Sequence, residues 1–337
     1  MTNRKRKRWI GLAAAVLGVA IVAAAFWPAE KEPEYQGKKL SEWVQMAQED
    51  PHPAAVDTAI ITIGTNNLPL LLKWLDYKPS KLREWVDDHS DSVPDRVRFL
   101  LRNRADERAD TAEEVFWILG LRGVAAIPEL LRQAPQHTDA PDMRAFNCLS
   151  YMGEVSLPAV ARIATNKNSP SRSEAVSCIS AMTNLGTNRA PAVRLLCELT
   201  RDSDRLIADK AVGGLGDLRA EPDIALPALV ALMRGPDLDL GTRAIWSIGQ
   251  FGTNARPVVP DLITALDHQN LSFRGAATNV VNAIAPEFFK TNGIEVPQGI
   301  VNFQGTFMGI GQVLTNNPYL LQQRATNPSF NGQQKTL

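Results

Sequence analysis

Gly186-Thr187-Asn188-Arg189-Ala190-Pro191 is the stretch that decides the fold, because its frame returns twice more, at Gly64-Thr65-Asn66-x-x-Pro69 and at Gly252-Thr253-Asn254-x-x-Pro257. In each copy an apolar run precedes the glycine and another follows the proline. Gly123 to Pro128 and Gly153 to Pro158 keep glycine and proline at the same spacing without Thr-Asn. A glycine ends a helix well because it enters the left-handed region at no steric cost. A proline opens the next helix well because the first-turn N–H groups have no intrahelical partner. Asn66, Asn188 and Asn254 are expected to bond turn backbone between the two. The motif residues therefore read as structural turn chemistry between paired helices.

Working outward, Pro69, Pro128, Pro158, Pro191, Pro227 and Pro257 are separated by 59, 30, 33, 36 and 30 residues, so four of five steps are one repeat long. Ala175, Val176 and Ile179 before the turn, and Val193, Leu196 and Cys197 after it, make one stripe on each helix, with Arg194 and Glu198 opposite. One such pair cannot bury its own stripe, but stacked pairs can. The expected fold is all-α, an α-solenoid of about six to seven helical pairs over residues 54–290. The long step contains 76–111, rich in charge, which reads as an irregular insert with a solvated surface.

Ahead of the repeats, Arg4 to Arg8 place five positive charges in a basic end at 1–8. Residues 9–27 then run without a charge from Trp9 to Trp27, about 28 Å as a helix, close to the roughly 30 Å of a bilayer core. The two tryptophans suit the two interfaces, and the basic cluster keeps its end cytoplasmic. This predicts a transmembrane signal anchor with the body extracytoplasmic, at a bacterial inner membrane facing the periplasm. Ala23-Ala24-Ala25 offers the alternative of a secreted protein after signal cleavage. Residues 28–53 read as a linker followed by a short capping helix in which Leu40, Trp43, Val44 and Ala47 share one face. The tail 291–337, with 13 Asn and Gln among 47 residues, is expected to be partly disordered.

These features resemble the HEAT-repeat family, including membrane-anchored bacterial HEAT-repeat proteins and those whose repeats are related to the phycobilin lyases. Tyr35-Gln36-Gly37-Lys38-x-Leu40-Ser41-x-Trp43 is similar to the stretch after the anchor in the former. The resemblance implies an Asp–Arg ladder between repeats, with Arg243 and Arg274 at its basic position and Asp202 and Asp267 as acidic counterparts, and it assigns no pairings.

Chemistry is sparse. No phosphate-cradle, H-E-x-x-H, G-x-S-x-G or C-x-x-C pattern occurs. Cys148, Cys178 and Cys197 have no paired spacing and read as buried thiols. His52, His89, His137 and His268 fall in breaks between helices, and His89, with Asp87, Asp88 and Asp91 nearby, reads as a solvated turn rather than a metal site. Formal net charge is zero; setting the basic end aside leaves 31 basic against 36 acidic side chains, which argues against a nucleic-acid partner. No catalytic, cofactor-binding or metal-binding residue is expected, and no cofactor. The function expected is a non-enzymatic, membrane-tethered scaffold whose second helices line a concave face that binds a protein or peptide. The alternative is a lyase-like or chaperone-like enzyme acting on a protein substrate held on that face.

Overall fold

Hydrophobic periodicity becomes helix in nearly every place where the sequence carries it, as a computed structural model describing residues 31–49, 52–77, 104–134 and 143–291 shows. The expected anchor with Trp9 and Trp27, the basic end and most of the tail lie outside the described residues. Among those described, no single helix is long and apolar enough to cross a membrane.

The chain divides into two units, 1–40 and 41–337. In the first, β1 (Glu34–Tyr35) pairs antiparallel with β2 (Lys38–Lys39). Gln36 and Gly37 both have positive φ, 50° and 77°, as a two-residue hairpin loop requires. The linker reading gave no sign of this hairpin. Its cause is the loop chemistry of one glycine, with too few flanking residues to show an alternation.

Helix α1 (Leu40–Ala47) begins at the unit boundary, and Trp43 and Val44 are buried on one of its faces. Helical pairs follow. They are α2 (Ala54–Asn66) with α3 (Leu68–Leu75), α4 (Arg104–Leu119) with α5 (Ile127–Gln133), and α6 (Arg144–Tyr151) with α7 (Gly153–Thr165). Next come α8 (Arg172–Ser180) with α9 (Arg189–Leu199), α10 (Arg205–Leu218) with α11 (Pro222–Met233), and α12 (Leu238–Gln250) with α13 (Val259–Thr264). Helix α14 (Leu271–Ile284) and the short α15 (Glu287–Thr291) close the series. Of the charged stretch 76–111, residues 104–111 form the first turns of α4, a regular repeat helix, and 78–103 lie outside the described residues.

The stacking gives the architecture. First helices form one continuous row, α2 on α4, α4 on α6, α6 on α8, α8 on α10, α10 on α12 and α12 on α14. Second helices form the other row, α5 on α7, α7 on α9 and α9 on α11. Each layer's stripe is closed off by the next. Val115 and Phe116 in α4, Ala175, Val176 and Ile179 in α8, Val193 and Leu196 in α9, and Ile245 and Ile248 in α12 are fully buried. Arg194 and Glu198 face solvent as their positions in the stripe require. This is an all-helical, solenoid-like stack.

The recurrent corner is less uniform than its sequence. Gly186 and Gly252 are left-handed, with φ of 50° and 55°, and so is Gly153 at 38°. Gly64 is different: it lies inside α2, and a Cβ there would sit 2.8 Å from Val115 Cγ1. It is a close-approach glycine, and α2 runs on to Asn66 with Asn67 as the cap. At the Gly123 copy the left-handed residue is Gly120, φ 49°. The prolines vary too. Pro69 and Pro128 lie at the second position of α3 and α5, and Pro191 at the third of α9. Pro257 lies in a 3-10 turn over Gly252–Val258, while Pro260 opens α13. Pro158 and Pro227 are interior, each the sixth residue of its helix. A proline there cannot donate to the carbonyl four residues back, and for Pro158 that carbonyl, Glu154 O, accepts from Asn188 Nδ2 at 3.1 Å instead.

Candidate binding groove on the row of first helices

Small residues open the site. Helix α10 carries Gly213, Gly214 and Gly216 in its middle. A Cβ on Gly216 would lie 3.0 Å from Ser247 Cα, and one on Gly214 would lie 2.0 Å from Ser180 Oγ, so these two glycines let α10 approach α12 and α8. Ser247 Oγ donates to Val212 O at 2.9 Å across the same junction. Gly213 points outward, where a Cβ would meet only the tip of Arg243, 3.1 Å from Nη2.

Above this floor lies a groove of 350 Å³, walled by α10 and α12 and closed at one end by the start of α14. Asp209, Gly213 and Asp217 line it from α10 at i, i+4 and i+8, a spacing that puts all three on one face. Asp239, Thr242, Arg243, Trp246 and Gln250 line it from α12, and Asn270 and Ser272 from the last repeat. N-caps hold the helix starts in place. Asp204 accepts from Leu206 N at 3.0 Å, Asp237 from Leu240 N at 3.0 Å, and Asn270 from Phe273 N at 3.0 Å.

Three carboxylates face one cation, and that cation is engaged. Arg243 Nε lies 3.1 Å from Asp209 Oδ1 and donates to Asp209 O at 3.2 Å. Asp217 and Asp239 form no ion pair, and their carboxylates accept no hydrogen bond, among the described residues. Desolvation on its groove side raises the Asp217 carboxyl above the usual range, although the residue as a whole is exposed and Arg219 and Arg243 oppose the shift. Trp246 is half-buried between the two ends.

A second polar cluster bridges α4 and α6. Glu113 accepts from Asn147 Nδ2 at 2.9 Å and from Tyr151 Oη at 3.4 Å. Burial raises both Glu113 and Tyr151. Its members satisfy one another, so it reads as a clasp between repeats.

Ion pairs join successive repeats, and of the residues singled out in the sequence Asp202 and Arg243 are among their members. Arg172 lies 2.5 Å from Asp202 Oδ2, each side chain only 9% exposed, and its Nε donates to Ala164 O at 2.9 Å. Arg144 pairs with Asp106 at 2.8 Å and Asp110 at 3.1 Å, Arg205 with Asp237, and Arg243 with Asp209. Arg274 donates to the His268 carbonyl at 2.9 Å. Asp202 is thus an acidic counterpart as expected, and its partner Arg172 was missed.

The turn residues come together only within their own corners. Thr65 Oγ1 donates to Ile61 O at 2.7 Å, while Thr187, Thr253 and Asn254 are exposed. Asn66 is exposed as well, and Asn67 Nδ2 takes up the bond to Ile63 O at 2.8 Å. Only Asn188 reaches out, to the preceding repeat. Cys148 and Cys178 are buried and Cys197 half-buried, all as free thiols. His52 bonds Asp57 at 3.1 Å, His268 packs on Phe273 at 4.6 Å, and His89 and His137 lie outside the described residues. Among the described residues no three His, Cys, Asp or Glu side chains gather in a way that suits a metal.

No family model matches the chain. It is 32% identical over 71 residues to an uncharacterized phycocyanin operon protein Y of Pseudanabaena tenuis, a match covering 21% of this chain and 16% of that protein. Among solved structures it is similar to an engineered protein, at 14% identity and a TM-score of 0.33 over 73% of this chain and 96% of the other. It is also similar to Kap95p in its complex with RanGDP, at 13% identity and a TM-score of 0.38 over 76% of this chain and 42% of the other. The repeat architecture accordingly rests on the helix stacking itself.

Proposed function

We propose that the chain is a membrane-tethered helical-repeat scaffold that holds an extracytoplasmic protein or peptide, without catalysing a reaction on it. One observation carries this reading: the first-helix row bears a groove across three successive repeats, and several of its polar side chains take no part in holding the repeats together. The sequence pointed to the second helices as the binding face; the groove favours the other row. Tethering draws on the apolar run from Trp9 to Trp27 and the basic residues before it. The mildly acidic body gives nucleic acid no counter-charge.

The test places a photo-crosslinking amino acid at Trp246, on the first row, and at Val155, exposed on the second, in the full-length chain in its own membrane. The scaffold reading predicts one discrete, light-dependent adduct from Trp246 and none from Val155. Adducts from neither position contradict it. A lyase-like or chaperone-like enzyme is the second reading, supported by the match to a phycocyanin operon protein. A bound chromophore or turnover in purified protein, lost when Trp246 is replaced, would favour it over the scaffold.

A further inference from the structure

The chemistry of the groove narrows what can lie in it. From Asp209 to Asp217 is eight residues of helix, about 12 Å, which an extended chain covers in about four residues at roughly 3.3 Å each. Near one end, at the helix N-termini, stands Asp239. At the other, where the α10 and α12 carbonyls end, stand Asp217 and the Gln250 amide. Exposed helix C-termini add partial negative charge there. Three carboxylates and one arginine line the groove, and that arginine is tied to Asp209, so the lining carries net negative charge.

Among the described residues the carboxylates of Asp217 and Asp239 neither pair with a cation nor accept a hydrogen bond. Asp217 sits one turn beyond the outward glycine, Gly213, over which the Arg243 guanidinium lies, and Trp246 lines the same groove. An indole and a carboxylate lining one groove suit the stem and head of a long basic side chain, with apolar contact along the methylenes and charge at the tip. Gln250 offers both a donor and an acceptor, as an extended main chain requires.

We infer that the groove between α10 and α12 binds an extended segment of a partner protein that carries lysine or arginine, with one such side chain lying along Trp246 and ending at Asp217. This rests on the scaffold reading and gives its partner a chemistry. An acidic segment would set like charge against Asp217 and Asp239, and a purely apolar one would take water from them without returning a hydrogen bond, which is unfavourable in both cases.

The experiment uses the full-length chain in detergent and three fluorescein-labelled nonapeptides, (Lys-Ala-Ala)3, (Gln-Ala-Ala)3 and (Glu-Ala-Ala)3, followed by fluorescence polarisation at 0.15 M salt. The lysine peptide should bind at least about tenfold more tightly than the glutamine peptide, and the glutamate peptide should bind most weakly. Asp217→Asn, which preserves shape, should weaken the lysine peptide by about three- to tenfold. Trp246→Ala should cost about tenfold or more. Asp223→Asn, on exposed α11 in the other row, should leave binding unchanged, and thermal melting of each variant confirms its fold. Equal binding of the three peptides, binding of none, or a lysine-peptide affinity indifferent to Asp217→Asn overturns the inference. If it falls while crosslinking at Trp246 still returns a discrete adduct, the scaffold reading survives with a partner of other chemistry. If crosslinking fails as well, both fall.

Discussion

The middle of the stack, α6 to α9, and its later part, α10 to α14, are built from the same unit and differ in the polar groups left over once the junctions are made. In the middle, polar groups stitch one repeat to the next. Asn184 O accepts from Glu154 N at 2.8 Å, Asn184 Nδ2 donates to Tyr151 O at 3.0 Å, and Asn188 Nδ2 reaches Glu154 O. At the other end of α8 the Arg172–Asp202 pair is almost fully enclosed. In the later part, outward ion pairs and the buried Ser247–Val212 hydrogen bond do the joining, glycines bring the first helices together, and carboxylates remain over the groove. Where a repeat protein has spent its polar side chains on its own junctions, it has little left for a partner; where it has not, a surface is available.

This contrast can be broken by substitutions graded by enclosure. The largest effect is expected at Gly153, where φ is 38° and an added Cβ would fall 2.3 Å from the backbone oxygen of Asn184. Backbone cannot swing aside as a side-chain tip can, so Gly153→Ala should destabilise by about 3 kcal/mol or more, read by urea unfolding. Arg172→Ala should follow at about 3 kcal/mol, because it leaves Asp202 enclosed without its partner. The hydrogen bond from Arg172 holds the Asp202 carboxyl below its usual range. That stabilisation is therefore present above the unfolded-state pKa of about 3.9 and lost as pH falls through the lower folded value. Melting against pH should show wild type losing its advantage over Arg172→Ala below about pH 4.

Gly213→Ala should do much less. The added methyl meets only the flexible end of Arg243, and alanine in mid-helix gains about 0.5–1 kcal/mol over glycine, so a melting shift near zero or slightly upward is expected. The smallest change belongs to Arg205→Ala, whose pair with Asp237 is nearly half exposed on both sides, and its melting should match wild type in high salt. A Gly213→Ala effect as large as that of Gly153→Ala would erase the distinction between the two regions.

The repeat and its pairing were legible because Gly and Pro mark backbone requirements and the 3.6-residue stripe marks a buried face. What a shared Gly-Thr-Asn-x-x-Pro frame does in space was not. Gly64 and Gly186 share Gly-Thr-Asn, yet one packs inside a helix against Val115 and the other turns left-handed, since the neighbour that decides lies 51 residues away for Gly64. Asp202 was recognised and Arg172 was not, because their contact spans 30 residues. For the groove, the sequence held one clue, Asp209, Gly213 and Asp217 at helical spacing. The opposing wall, with Trp246, is supplied by the next repeat, and no pattern within α10 announces it.

The central claim is that first helices of successive repeats lie in direct contact along one row. Its most direct measurement is urea unfolding of Gly216→Leu in α10 beside Gly275→Leu in α14, because a Cβ on Gly216 would lie 3.0 Å from Ser247 Cα, whereas one on Gly275 meets nothing within 4 Å. Gly216→Leu should destabilise the protein by about 2–3 kcal/mol or more, while Gly275→Leu should unfold at the same urea concentration as wild type or slightly higher. A Gly216→Leu variant as stable as wild type would contradict the stack and, with it, the groove built upon it.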